Sequence, residues 1–283
     1  MHTPVLLKQV IEGLQVHPGG KYIDATAGEG GHLKKILENG GSILAIDWDR
    51  KQMQSLTAKL QGYEQVIFAS GNFAQIEKIA EKMQFYPVDG ILFDLGLSME
   101  QIARSGRGFS YKNEDELLDM RIGIRQKTTA EDIVNTLSEE QLYNIFAKYG
   151  EELLSRPIAA AIVQKRINKK LKTVADLTQT IHYVVRKSAR PDQINKVFAR
   201  IFQALRIIVN NELDNLEKAL QQSKKLVKSG GRIVVISFHS LEDRVVKQFI
   251  RSNHLKTIPT KVIHSHRGLP YERSAKLRII EIV

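Results

Sequence analysis

The chain has no cysteine among its 283 residues. That removes disulfide frameworks, thiolate nucleophiles and cysteine-ligated zinc, and it fits a reducing compartment. Long apolar runs are missing too. The stretch 5–14 is interrupted by Lys8, Gln9 and Glu12, so it predicts an amphipathic helix and not a signal peptide or membrane span. A soluble, cytoplasmic protein with no membrane partner is expected. There is no internal repeat and no low-complexity segment. The dinucleotide fingerprint G-x-G-x-x-G would need its third glycine at a position held by Leu33, which weakens an NAD reading. The nucleophile elbow G-x-S-x-G is absent, so Ser237, His239 and Asp243, although close in sequence, read poorly as a hydrolase triad. His264 and His266 lack a carboxylate constellation that would argue for a metal, and none is expected.

What is present is a glycine loop, Asp24-Ala25-Thr26-Ala27-Gly28-Glu29-Gly30-Gly31-His32, between an apolar segment and an amphipathic helix. Glycines allow a tight turn and close approach to a ligand, and the following helix offers unpaired N–H groups. The spacing D-x-x-x-G-x-G is the pattern of class I methyltransferases that bind S-adenosylmethionine, with NAD as the weaker alternative. Around the loop the chain alternates between the two periodicities. Strands are predicted at 20–25, 42–46, 66–69 and 88–95, with helices at 32–39, 50–60 and 73–83 between and after them. This is α/β order with a parallel sheet. It returns late in the chain with a strand at 232–238, a helix at 241–252 and two last strands at 261–264 and 277–283. The sum is a Rossmann-like sheet of seven strands.

Between the two halves the rhythm breaks, and an all-helical insertion is expected at 105–200, leaving 1–104 and 201–283 as a discontinuous cofactor domain. Its helices are predicted at 130–137, 139–149, 152–168 and 174–187, the second opened by the capping box Ser138-Glu139-Glu140-Gln141. A long helical stretch at 195–228 leads back to the sheet. The net charge of +11 is concentrated here, since Arg156 to Arg206 holds twelve Lys or Arg against Asp176 and Asp192. Solvated faces usually carry both signs, so an excess of one sign points to a polyanion, with nucleic acid favoured over an anionic membrane. Lys165, Arg166, Lys169, Lys170, Lys172, Arg186, Lys187 and Arg190 are the candidate RNA contacts.

Chemistry-bearing residues fall at the predicted strand ends. Asp47 lies about twenty residues past the loop, where an acid accepts hydrogen bonds from ribose hydroxyls; a loop carboxylate or N-cap is the plainer alternative. Phe73 is placed either against an adenine or in the core. Asp94 is the candidate catalytic residue, at the sheet edge where open α/β folds bind ligands. Its context Asp94-Leu95-Gly96-Leu97 lacks the Pro-Pro-aromatic platform common in amino-group methyltransferases. His239 reads equally as a reactive or a structural histidine.

Taken together, these segments resemble the bacterial RsmH (MraW) family nearly end to end. The resemblance is carried by His2-Thr3-Pro4-Val5-Leu6-Leu7, Tyr22-Ile23-Asp24-Ala25-Thr26, Asp89-Gly90-Ile91-Leu92-Phe93-Asp94-Leu95-Gly96, Arg107-Gly108-Phe109-Ser110, Leu118-Asp119-Met120-Arg121 and Tyr149-Gly150-Glu151-Glu152. Phe202-Gln203-Ala204-Leu205-Arg206-Ile207, Gly230-Gly231-Arg232, Arg273-Ser274-Ala275-Lys276-Leu277-Arg278 and the specific Ser237-Phe238-His239-Ser240-Leu241-Glu242-Asp243-Arg244 complete it. The resemblance implies a class I methyltransferase that modifies the exocyclic N4 amine of a cytidine in small-subunit (16S) ribosomal RNA, free or in the subunit. It also implies an S-adenosylmethionine site at Gly30, Gly31, His32, Asp47, Phe73, Asp94 and Gln101. Met99 and Ala103 stand where the family usually has Ser and Asp, and Lys196-Val197-Phe198-Ala199-Arg200 where it usually has His-Pro-Ala-Thr-Arg. A methyltransferase acting on another substrate and a non-catalytic RNA-binding assembly factor remain the alternatives. Oligomeric state is left open.

Overall fold

The computed structural model describes residues 4–123, 126–186, 190–265 and 272–283. His2, Lys187 and His266 lie outside the described residues. The chain divides into two compact units, Met1–Gly96 with Leu213–Val283, and Leu97–Glu212. The cuts expected after 104 and 200 are thereby moved. The helix Pro191–Asn210 runs unbroken through the second of them, and Met99–Arg104 falls whole into the helical unit.

In the first unit the order is α1 (Leu7–Leu14), β1 (Lys21–Asp24), α2 (Gly31–Glu38), β2 (Ser42–Asp47), α3 (Arg50–Lys59), β3 (Val66–Ser70), a short turn of 3₁₀ helix (Phe73–Gln75), α4 (Ile76–Lys82) and β4 (Val88–Asp94). The sheet runs β3-β2-β1-β4, with all three pairings parallel. On the far side β4 pairs in parallel with β5 (Val227–Ser237), and β5 with the antiparallel β8 (Lys276–Glu281). Alternation decides which layer each residue joins. Ile23, Leu44, Ile46, Ile91, Phe93, Ile233 and Val235 face one apolar layer, while Tyr22, Ile43, Ala45, Leu92, Val234 and Ile236 face the other. Helices α1, α2 and α3 supply Val10, Leu14, Leu33, Ile36, Met53 and Leu56 to the second layer. Strands covered on both faces need near-continuous apolar sequence, which is why β2 and β4 were legible.

Among the described residues the sheet has eight strands where seven were expected. The addition is the two-residue strand β6 (Lys256–Thr257), while the strand expected at 261–264 is shortened to β7 (Ile263–His264); both pair with β8. The α/β class with a helical insertion stands. The stretch 195–228 is two helices, because Asn211 adopts a left-handed conformation with φ 49° that ends the first. These are α10 (Pro191–Asn210) and α11 (Glu212–Leu226), and after β5 comes α12 (Ser240–Ser252).

The helical unit comprises α5 (Met99–Arg104), α6 (Ala130–Thr136), α7 (Glu139–Gly150), α8 (Ser155–Asn168), α9 (Val174–Val185) and α10. Ser98, Thr129, Ser138 and Thr173 each open a helix with a reciprocal capping box, so local sequence sets four of the starts. α5 was not foreseen. Two family motifs are structural here. Arg107 Nη1 donates to the carbonyls of Arg121 and Ile122, both at 3.0 Å, and the fully buried Asn210 holds the Met120 carbonyl and the Ile122 amide, each at 2.8 Å. At the end of α7, the buried Glu152 pairs with Arg200 of α10 at 3.1 Å.

Candidate active site

Sheet order reverses direction of growth at β1 and β4, and this switch point is where open α/β sheets bind ligands. Three strands end there in an aspartate: Asp24 on β1, Asp47 on β2 and Asp94 on β4. A fourth carboxyl, Glu242, comes from the first turn of α12.

Asp47 has its two oxygens on two backbone amides, Oδ2 accepting from Gly28 at 2.8 Å and Oδ1 from Asp49 at 2.7 Å. The loop it anchors is shaped by close packing. A Cβ at Gly30, where φ is +83°, would strike the Leu56 side chain, and one at Gly31 would strike Pro4. Those two glycines therefore make room for the protein itself. Gly28 has no such neighbour, its nearest heavy atom being the Thr26 carbonyl oxygen at 3.7 Å. No side chain caps α2, so its first amides stay unclaimed by a cap.

Thr26 joins the two central strands. Its amide donates to Asp24 Oδ1 at 3.1 Å, and its hydroxyl accepts the Asp94 amide at 2.7 Å. Asp24 is buried, and burial together with the neighbouring Asp47 pushes its carboxyl up to about 7 against the pull of Thr26. Asp94 is held well above the usual carboxylate range by burial, by Asp24 and by Glu242. Its Oδ1 is sealed from solvent with no hydrogen-bond partner among the described residues. Its Oδ2 lies 3.5 Å from His32 Nδ1. Burial lowers His32 to about 4, so the imidazole is neutral and offers no counter-charge.

Phe73 is half-buried and meets Phe93 edge-on, with ring centroids 5.9 Å apart, so one side of it belongs to the core. His239 caps α12, its Nδ1 accepting the Glu242 amide at 3.3 Å, while Glu242 Oε2 folds back onto the Phe238 amide at 2.7 Å. The specific motif around it is thus a strand-to-helix turn, continued by Asp243 pairing with Arg278 at 2.7 Å. Gln101 lies in the helical unit, where its side chain accepts the Ser98 amide at 3.0 Å in the α5 capping box. Asp24, Thr26 and Glu242 had no role assigned from sequence. The available signal for Asp24 was its position, an acid ending a strand like Asp47 and Asp94.

The candidate RNA contacts divide. Arg166 is half-buried and donates to the Val134 carbonyl at 2.8 Å, at the end of α6. Lys169 pairs with Asp176 at 2.8 Å; burial would raise that carboxyl, but Lys169 and the amides of Lys172 and Thr173 hold it at about 2. Lys165, Lys170 and Lys172 are exposed, with no ion pair among the described residues. Arg186 lies over the exposed ring of Tyr183 at 4.8 Å, and Arg190 is exposed. No helix among the described residues is long and apolar enough to cross a membrane.

A model of the MraW methylase family matches residues 1–281. A protein of Caldicellulosiruptor bescii is 43% identical over 100% of this chain and 90% of its own length. One from Coprothermobacter proteolyticus is 43% identical over 99% of this chain and 95% of its own, and one from Dehalococcoides mccartyi 42% over 99% and 86%. All three bear the name ribosomal RNA small subunit methyltransferase H.

Proposed function

The chain belongs to the MraW methylase family, and from that premise we propose that it moves the methyl group of S-adenosylmethionine to the exocyclic N4 amine of a cytidine in small-subunit ribosomal RNA. The observation that carries the site is Asp94, a carboxyl at the switch point with one oxygen buried and unpartnered, beside two more carboxyls and a neutral histidine. Such an edge is electrostatically incomplete, and a cation completes it. When bound, S-adenosylmethionine supplies a methyl group on a positively charged sulfur. The residues suit it: Asp47 ends β2 as an acid where ribose hydroxyls are bound in such folds, the Gly31 and His32 amides open α2, and Gly30, Phe73 and Gln101 are carried over from the family resemblance.

An exocyclic amine conjugated to its ring is a poor nucleophile until an acceptor draws on its N–H. Asp94, in its ionised form, is that acceptor, and its carboxylate takes the proton the amine sheds. Orientation at attack distance is the main source of rate in such a displacement. For the substrate, the support is the name shared by the relatives and the basic helical unit, whose exposed Lys165, Lys170 and Lys172 suit phosphates of a folded RNA from which one base is turned out.

The test is binding of S-adenosylmethionine, read as a rise in melting temperature, and transfer of labelled methyl to small ribosomal subunits. Wild type is expected to do both, and Asp47→Ala and Asp94→Ala to lose transfer. Undiminished transfer in both variants would overturn the site assignment.

A further inference from the structure

The protonation state of His32 is fixed by a backbone group. Nε2 lies 3.0 Å from the Val5 carbonyl oxygen, which can only accept, so Nε2 carries the ring hydrogen and Nδ1 is bare. That bare nitrogen faces Asp94 Oδ2 at 3.5 Å. A lone pair repels an ionised carboxylate and attracts a carboxylic acid. The other groups acting on Asp94 push the same way: Asp24 on β1 and Glu242 on α12 are both carboxyls, with Asp47 acting on Asp24 in turn. The Thr26 hydroxyl at the Asp94 amide is neutral. The gap of 3.5 Å is longer than a full hydrogen bond, so the carboxyl is biased toward the acid without being tied in place.

We propose that His32 is a positioning residue that keeps Asp94 a neutral acid, its hydrogen turned to Nδ1, and that entry of a sulfonium cation converts Asp94 to the carboxylate with release of that proton. The inference rests on the cofactor reading above and deepens it. One O–H bond of Asp94 breaks, the proton goes to solvent, and the carboxylate charge balances the incoming cation.

Calorimetry of the full chain with S-adenosylmethionine, in buffers of differing ionisation enthalpy from pH 5 to 9, counts the protons. Wild type is expected to release close to one at low pH, falling to none as Asp94 ionises unaided. S-adenosylhomocysteine, which lacks the sulfonium charge, is expected to release far less. Asp94→Asn removes the release. His32→Leu moves its midpoint down by about one pH unit, a tenfold change in the proton equilibrium, whereas His32→Gln, whose amide donates to Val5 and accepts from Asp94, keeps it. Nitrogen NMR of wild-type His32 is expected to show hydrogen on Nε2 throughout, a readout independent of any variant's folding. Binding without proton release, an unmoved midpoint in His32→Leu, or hydrogen on Nδ1 would each overturn the proposal. Absence of any binding would instead remove the cofactor reading, and this inference with it.

Discussion

The two units use charge in opposite ways. In the α/β unit the charged groups of the candidate site are acids at strand ends and a helix start, and their behaviour depends on particular neighbours, as that of Asp94 does on Asp24, Glu242 and His32. In the helical unit the candidate RNA contacts are bases, and Lys165, Lys170 and Lys172 among them stand on exposed surface, where solvent and salt screen each one and only their number matters. A buried charge site is therefore broken by one substitution, an exposed one only by several.

The largest expected effect follows from the buried side. Asp94→Ala is expected to lower kcat/KM for methyl transfer by about 10²-fold or more, the usual consequence of losing a group that orients reactants. Steady-state kinetics on small subunits measures it, and a loss below tenfold would put the orienting group elsewhere. On the exposed side, changing Lys165, Lys170 and Lys172 together to Gln is expected to reduce the slope of log affinity against log salt by about 2 to 3, for three phosphate contacts on a folded RNA. Filter binding over a salt series reads this directly; an unchanged slope takes these lysines out of the interface.

A smaller effect separates the buried acids from the buried base by sign. Asp24 ionises near 3.8 when unfolded and at about 7 when folded, so the stability it contributes is present below about pH 4 and lost as pH rises toward 7. Asp94, also raised, acts in the same direction. His32, lowered from 6.5 to about 4, contributes stability present above pH 6.5 and lost as pH falls toward 4. The two trends oppose each other between pH 4 and 6.5. Melting temperatures across that range are expected to fall more steeply with rising pH in His32→Gln than in wild type, and less steeply in Asp24→Asn. Parallel curves for all three proteins would contradict the burial of these groups. The smallest effects are predicted for two bases already engaged within their own unit. Arg166→Gln is expected to cost about 1 kcal/mol in denaturant unfolding by freeing the Val134 carbonyl, and Lys169→Gln less, with little change in salt slope for either.

The same contrast explains what the sequence made legible. Strands such as β2 and β4 are near-continuous apolar runs because both faces are covered, and the capping box at Ser138 is encoded within four residues, so both could be read directly. Asp47 and Asp94 were proposed from position, at the ends of those strands, and from the family resemblance. What depends on a distant partner was invisible. Arg166 looks like any surface base until the Val134 carbonyl, 32 residues away, is placed beside it. Glu242 reads as a helix acid until it folds back on Phe238 and acts on Asp94. The break at Asn211 hid inside an otherwise helical pattern, since asparagine tolerates the left-handed conformation without announcing it. The strand β6 is held by pairing with β8 and is too short to carry a periodicity of its own.

The central claim is tested most directly by nucleoside mass spectrometry of small-subunit RNA after incubation with the protein and isotopically labelled S-adenosylmethionine. The account predicts label in N4-methylcytidine with wild type and its loss with Asp94→Ala. Label in a different nucleoside, in protein, or nowhere at all would contradict it.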